Sequence, residues 1–222
     1  MGAHTKIIEF YGLPGCGKTT ICYKLKESFE EKGYKVGVLP DAANHFSWLS
    51  LFYTLTIRDI VLFFRFFILL KKHHVHRNLV ISPIRRLLIF RSAKKKNEYD
   101  FIFVDHGAAQ SIVRALYDTP CPLDILNSSV VKALFISTPV DKYVCCKITP
   151  EEAFARVRHR NRKNSGTFDQ FPDEQLRIVL DGHYSIFEST DSLLRNLRFN
   201  LYFIDCYNKL EDCIEEANSI VF

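Results

Sequence analysis

Nothing in this 222-residue sequence reads as a disulfide framework. Its seven cysteines are odd in number and irregular in spacing, with Cys145 and Cys146 adjacent. A disulfide-stapled fold and a cysteine-rich metal site are therefore set aside, and reduced thiols in a cytoplasmic protein are expected. Internal repeats and low-complexity linkers are also missing, so residues 1–222 are expected to form one domain. The first apolar strand begins at Lys6, which leaves no room for a signal peptide. Gly2 opens a myristoylation pattern, but Lys6 stands where that pattern needs Ser or Thr.

An uninterrupted membrane-spanning run is lacking as well. Residues 48–70 are rich in Leu and Phe, but Arg58, Asp59 and Arg65 break them up. Each such charge costs about 2.5–3.5 kcal/mol at a bilayer centre, against about 0.3–0.6 kcal/mol gained per Leu, Ile, Phe or Val. A single span would also put strands of one sheet on opposite sides of the membrane. A buried helix is expected instead, with membrane-surface contact left open. The excess of positive charge is only +5, which suits an anionic ligand without demanding nucleic acid. With 47% hydrophobic and 25% charged residues, the balance is that of an ordinary soluble domain.

What is present begins at Gly12-Leu13-Pro14-Gly15-Cys16-Gly17-Lys18-Thr19, which fits the pattern G-x-x-x-x-G-K-[ST] of a phosphate-binding loop. Glycines at those positions let the backbone curl until several N–H groups point at one anion. Lys18 can reach the β- and γ-phosphates of a nucleotide, and the Thr19 hydroxyl can ligate Mg²⁺. Context supports the pattern. Lys6-Ile7-Ile8-Glu9-Phe10-Tyr11 is a short β-prone run before it, and Ile21, Leu25 and Phe29 recur at helical spacing after it. Gly33 closes that helix. Cys16 is read as a small residue of the loop.

A second strand over 35–39 ends at Pro40-Asp41. Asp41 lies where open α/β sheets bind ligands, so it is either a base or acceptor contact or a turn-capping residue. Residues 101–105 form an apolar strand ending in Asp105, the position of a Mg²⁺-side carboxylate downstream of a phosphate loop. His106 and Gln110 follow, as substrate contacts or helix caps. In the 48–70 helix Thr54, Arg58, Arg65 and Lys72 share one stripe, which either faces an acceptor pocket or meets solvent. Residues 71–96 are basic, including His73, His74 and His76. These histidines have no carboxylate or cysteine company, so helix-end charge is the default, with a nucleic-acid patch the lesser reading.

Residues 131–137 fit a strand or a helix end, and 143–148 a strand. Thr149-Pro150-Glu151-Glu152 has the marks of a helix start: a Thr cap, Pro in the first turn, then acids. That helix carries Arg156, Arg158, Arg160, Arg162 and Lys163. Cations so dense repel one another without an anion, so residues 156–170 are read as a phosphate-gripping lid. A helix over 173–194, with His183 packed inside it, a strand over 200–205 and a closing helix over 210–217 complete the chain.

The run from Thr149 through Ala155-Arg156-Val157-Arg158-His159-Arg160 resembles the thymidylate kinase and deoxynucleoside kinase group, within the nucleoside monophosphate kinase-like enzymes. The order of phosphate loop, acid after the second strand, strand-terminal acid, lid and final strand ending in Asp205 fits the same group. The resemblance implies a three-layer α/β phosphate-loop fold: a mostly parallel five-stranded sheet with helices on both faces, an Arg-rich lid, and a helical acceptor-side insertion over 43–99. It implies ATP and Mg²⁺, with residues Gly12 to Thr20, Thr20 included, on the phosphates and Thr19 and Asp105 on the metal. Arg156 would lie against adenine. Lys18, Arg160 and Arg162 would act on the transferring phosphoryl group, and Asp41 on the acceptor hydroxyl. The 48–70 helix would line the acceptor pocket with Arg58 or Arg65, beside His106 and Gln110.

The implied activity is transfer of the γ-phosphoryl group to a small acceptor, a nucleoside or nucleoside monophosphate. Alternatives are an ATPase or switch acting through a protein or nucleic-acid partner, and a kinase of a non-nucleoside small molecule. No membrane span is expected, and a homodimer is left open. Two departures from the group fall on acceptor recognition: His106 stands in place of an Arg, and Pro40-Asp41 in place of Glu-Pro.

Overall fold

The computed structural model describes residues 4–39, 54–73, 75, 77–117, 119–160 and 167–222. Five strands form one sheet: β1 (Lys6–Tyr11), β2 (Val36–Leu39), β3 (Phe101–Val104), β4 (Lys142–Lys147) and β5 (Leu201–Asp205). Their order is β2-β3-β1-β4-β5, and every pairing is parallel. Runs such as Phe101-Ile102-Phe103-Val104 are apolar on both faces because helices cover both faces of such a sheet.

Between the strands lie α1 (Lys18–Glu31), α2 (Ile57–Lys72), α3 (Arg77–Lys96), α4 (Ala108–Tyr117), α5 (Pro122–Leu126) and α6 (Ser129–Ser137). After β4 come α7 (Pro150–Arg158), a 3₁₀ turn (Thr167–Gln170), α8 (Asp173–Asn196) and α9 (Leu210–Val221). Helices α1 and α9 pack together on one side, where Phe29 stacks on Phe222 at 4.7 Å and meets Phe101 and Phe103 edge-on. Helices α3, α4 and α8 pack together, α4 against β1 and α8 against β5.

The first strand is central. The chain passes from it to β2 and β3 on one side, then crosses to β4 and β5 on the other. Order therefore reverses beside β1, and the crevice at the carboxyl ends of β1 and β3 is where open α/β sheets bind ligands. Glu9 pairs in register with Val104 of β3 and Tyr143 of β4, so the loop after Tyr11 and the turn after Val104 open on the same edge.

One open alternative is decided and one expectation is corrected. Residues 131–137, open between a strand and a helix end, belong to helix α6: Ser128 caps its first turn by accepting from the Val131 N–H at 3.3 Å, and Val131, Leu134 and Phe135 form one buried stripe. Over its described residues the 48–70 segment is not a buried helix. Its described part, α2, begins at Ile57 and buries only Asp59, Leu62, Phe66 and Leu70, while Trp48 lies outside the described residues. Its other face is apolar yet exposed: Ile57 (83%), Phe64 (64%), Ile60, Val61 and Ile68. Nor does Asp59 interrupt the helix. Together with Thr56 it forms a capping box that starts it, and it then pairs with Arg91 of α3. Among the described residues no helix is long and apolar enough to cross a membrane.

The basic stretch resolves partly into structural contacts. Lys94 pairs with Asp141 at 2.7 Å, and Asp141 also accepts from the Ile7 N–H at 2.7 Å, tying α3 to the entrance of β4. His183 is buried, as expected, stacked on Tyr117 at 4.3 Å with Nδ1 2.8 Å from the Val179 carbonyl.

Candidate active site

The chain leaves β1 at Tyr11 and curls through Gly12, Gly15 and Gly17, all with φ between +91° and +143°. Gly12 is also forced by space, since a Cβ there would stand 2.5 Å from the Cys146 carbonyl oxygen. Gly17 begins α1 without any side-chain cap, so the amide-rich end of that helix opens onto the loop. Lys18 is buried and folded back over the loop. Its Nζ donates to the Gly12 and Leu13 carbonyls, both at 2.9 Å, and to Cys16 Sγ at 3.3 Å.

Beside the loop, Thr19 Oγ1 donates to Asp105 Oδ2 at 2.6 Å. Asp105 is buried, and its Oδ1 has no hydrogen-bond partner among the described residues. A buried carboxylate oxygen left bare costs free energy unless a cation takes it. A hydroxyl and a carboxylate on one edge are hard-oxygen donors of the kind Mg²⁺ takes, and the amide-lined loop beside them suits phosphates. The residues present thus fit both a nucleotide phosphate chain and its metal ion.

Glu9, inside β1, supports the other wall. Its carboxylate is fully buried and accepts from the Ala108 N–H at 2.9 Å and the Gln110 N–H at 3.2 Å, capping α4 from a different element. Burial pushes its carboxyl up to about 7, against those N–H groups and the charge of Arg86. Gly107 leaves room for it, because a Cβ there would fall 2.2 Å from the Glu9 carboxyl carbon and displace the carboxyl from its N–H partners. Gln110 in turn accepts from the Gly12 N–H at 3.2 Å, tying α4 to the phosphate loop.

A cavity of about 500 Å³ opens over this assembly. One wall is the loop: Pro14, Gly15, Gly17, Lys18, Thr19 and Thr20. The other is His106, Gln110, Arg114, Arg160 and Phe168. The basicity of His106, which edges this cavity, is lowered: partial desolvation dominates, and the cations Lys18, Arg86 and Arg114 oppose the pull of Asp105. The described lining is therefore cationic, shaped for a ligand with several negative charges.

The structure brings together most of the residues singled out from the sequence. Cys16 is buried beneath the loop. Arg156 stands beside Gly15 but is held by Glu152 at 2.7 Å and by the Cys206 carbonyl at 2.8 Å. Arg58 and Arg65 are exposed on α2, and neither lines the cavity. Asp41 and Arg162 lie outside the described residues. Sequence reasoning missed Glu9, Arg114 and Phe168. Arg114 had a signal, since it follows His106 and Gln110 at four-residue steps on one helical face. Glu9 had a weaker one, a lone acid within an apolar strand, and Phe168 had none.

No protein-family model matches the sequence, and no curated protein does. Among solved structures the chain is similar to deoxyadenosine kinase from M. mycoides with bound dCTP, at TM-score 0.54 and 15% identity, over 97% of this chain and 98% of that one. The same kinase with the products dCMP and a flexible dCDP aligns at TM-score 0.55 and 15% identity, and with dATP at 0.55 and 14%, over the same shares of each chain. At such identities the likeness establishes a shared fold alone, an all-parallel five-stranded sheet between helices.

Proposed function

We propose that this chain is a phosphotransferase that moves the γ-phosphoryl group of ATP, with Mg²⁺, to a small acceptor, a nucleoside or nucleoside monophosphate. The observation that carries the reading is the bare, buried Asp105 Oδ1 beside Thr19 at the mouth of a glycine-shaped phosphate loop. The structural neighbours lend support, since they are described as a deoxyadenosine kinase holding deoxynucleotides.

In this reading the loop amides and the start of α1 bind the phosphate chain, and Lys18 exchanges its carbonyl partners for phosphate oxygens. Thr19 and Asp105 would hold Mg²⁺, which neutralises charge between the phosphates. Arg160, whose guanidinium would lie 3.5 Å from a Cβ at Gly15, is set to stabilise charge on the transferring group, with Arg162 as a further candidate. On the far wall His106, Gln110 and Arg114 orient the acceptor, Asp41 is the candidate for its hydroxyl, and Arg156 for the adenine side. Little covalent chemistry is asked of the protein, so positioning and charge neutralisation carry the rate. Seven free cysteines accord with a cytoplasmic setting.

The test is transfer of labelled γ-phosphate to a panel of nucleosides and nucleoside monophosphates, with Lys18→Ala alongside. A labelled product from one acceptor class, absent in the variant, is expected, whereas full transfer by Lys18→Ala refutes the site. One observation favours a second reading, an ATPase controlled by a partner: the exposed apolar face of α2. That reading expects ATP consumption without a phosphorylated small product.

A further inference from the structure

The exposed face of α2 is continuous. Ile57, Ile60, Val61, Phe64, Phe67 and Ile68 are all open to solvent. At about 100° per residue they share one arc roughly 120° wide, on a 16-residue helix about 24 Å long. The opposite arc, with Leu62, Phe66 and Leu70, is the one that packs, α2 lying against α3 and α6. Beside the apolar arc Arg58, Arg65 and Lys72 form a row along one edge, all exposed. None of the three pairs with a carboxylate among the described residues. Lone exposed apolar side chains are ordinary, but a contiguous strip marks an interaction surface.

Charge decides what the strip meets. The sequences of α2, α3 and α6 contain four, seven and one Lys or Arg, and their single acid is Asp59, buried and paired with Arg91. The whole chain carries only +5, so the positive excess is gathered in these three packed helices and the remainder is net acidic. We propose that α2 is an interfacial helix that seats this chain on an anionic lipid bilayer. The apolar strip enters the zone between headgroups and acyl chains, while Arg58, Arg65 and Lys72 reach the acidic headgroups from its edge.

The observations favour a bilayer over other occupants. A second copy of this chain would set α2 against α2, and these three helices bring no free acid to meet the cations. A nucleic acid would satisfy the cations but offer nothing to the apolar strip. A bilayer with acidic lipids supplies hydrocarbon and negative charge in one plane, which is what the strip and its edge present. At 16 residues α2 falls short of the about 20 apolar residues that a span needs, so the contact is with one leaflet. Arg58 and Arg65, which line no part of the phosphate-loop cavity, acquire a role in this way. The inference stands on α2 and the helices beside it, independently of phosphoryl transfer.

The test is co-sedimentation of the full chain with vesicles of phosphatidylcholine containing phosphatidylserine, and with vesicles of phosphatidylcholine alone. Binding to the first is expected, at least about tenfold tighter than to the second, and the difference should shrink as salt rises. Phe64→Ser should weaken binding to the acidic vesicles at least about tenfold, and Arg65→Gln about fivefold. Both side chains are exposed, so both variants should keep the fold, read by circular dichroism. Phe64→Trp should give indole fluorescence that brominated acyl chains quench, beyond any quenching in the wild type, whose single tryptophan is Trp48. No binding to the acidic vesicles overturns the proposal. Binding that Phe64→Ser leaves unchanged also overturns it, since charge alone or another face would then be responsible. An indole that the brominated chains fail to quench overturns the insertion of the strip, and this readout does not depend on the serine variant. A lipid-free dimer that Phe64→Ser dissociates, seen by sedimentation velocity, assigns the strip to a second copy and overturns the proposal as well.

Discussion

Replacing Glu9 by glutamine should flatten the pH dependence of stability between pH 4.5 and 8. In the folded chain the Glu9 carboxyl titrates near 7 because burial dominates, even though the Ala108 and Gln110 N–H groups and Arg86 favour the carboxylate. In the unfolded chain it returns to its ordinary 4.5. The folded state therefore binds the proton more tightly. Below 4.5 both states are protonated and nothing is lost. As pH rises towards 7 the unfolded state ionises first, and stability is lost progressively until the folded carboxyl ionises too. At about 1.4 kcal/mol per pH unit, the total loss is about 3 kcal/mol. The assay is urea unfolding at half-unit intervals from pH 4.5 to 8.5 for wild type and Glu9→Gln. The variant bears a constant penalty of about 1–3 kcal/mol, because an amide accepts poorly from two N–H groups. Wild type should lose about 3 kcal/mol towards alkaline pH while the variant does not, so the gap between the proteins should close or change sign. Parallel profiles would mean that Glu9 is ionised throughout, and that burial does not outweigh the N–H groups and Arg86 that favour its carboxylate.

Further consequences test the same wall and the lid. Arg160→Ala should lower kcat by at least about a hundredfold while changing nucleotide affinity far less, and equal losses in both would remove it from the transition state. Arg114→Ala should raise the acceptor KM while sparing the affinity for ATP, and a loss on the donor side instead would reassign it. Gly107→Ala places a Cβ 2.2 Å from the Glu9 carboxyl carbon and should cost more than about 2 kcal/mol of stability, measured as a shift in the urea midpoint. A neutral Gly107→Ala would show that the α4 cap is looser than drawn.

What could be read from the sequence was local. The phosphate loop was legible because its glycines and Lys18 act through the backbone at fixed spacing. The strands were legible because a parallel sheet covered on both faces demands continuous apolar runs. Thr149 was legible as a cap, and its hydroxyl does accept from the Glu152 N–H at 3.3 Å. What escaped was non-local. Outside the stripe of Arg58, Arg65 and Lys72, helix α2 is apolar over most of its circumference, so periodicity could not say which apolar face would be buried. Asp59 looked like an interruption because its partner Arg91 lies on another helix. Glu9 works through N–H groups about a hundred residues further on, and no window of sequence contains both.

The two halves of the site are joined at one peptide. The Gly12 N–H donates to Gln110 Oε1, and the Gly12 carbonyl accepts from Lys18 Nζ. The Gln110 backbone N–H is at the same time held by Glu9, which lies on β1 three residues before Gly12. When phosphate takes Lys18, the carbonyl of Gly12 loses its partner while its N–H stays anchored to α4. On the proposed reading the loop would then be fixed on its acceptor side and free to adjust on its donor side. A residue that displaces the start of α4 should reach the phosphates through Gln110 and Gly12 without touching them. By the same path a ligand pressing on α4 should alter the hold on Lys18. On the proposed reading, donor and acceptor binding would be coupled by one hydrogen bond and one strand, through the buried carboxylate beneath them.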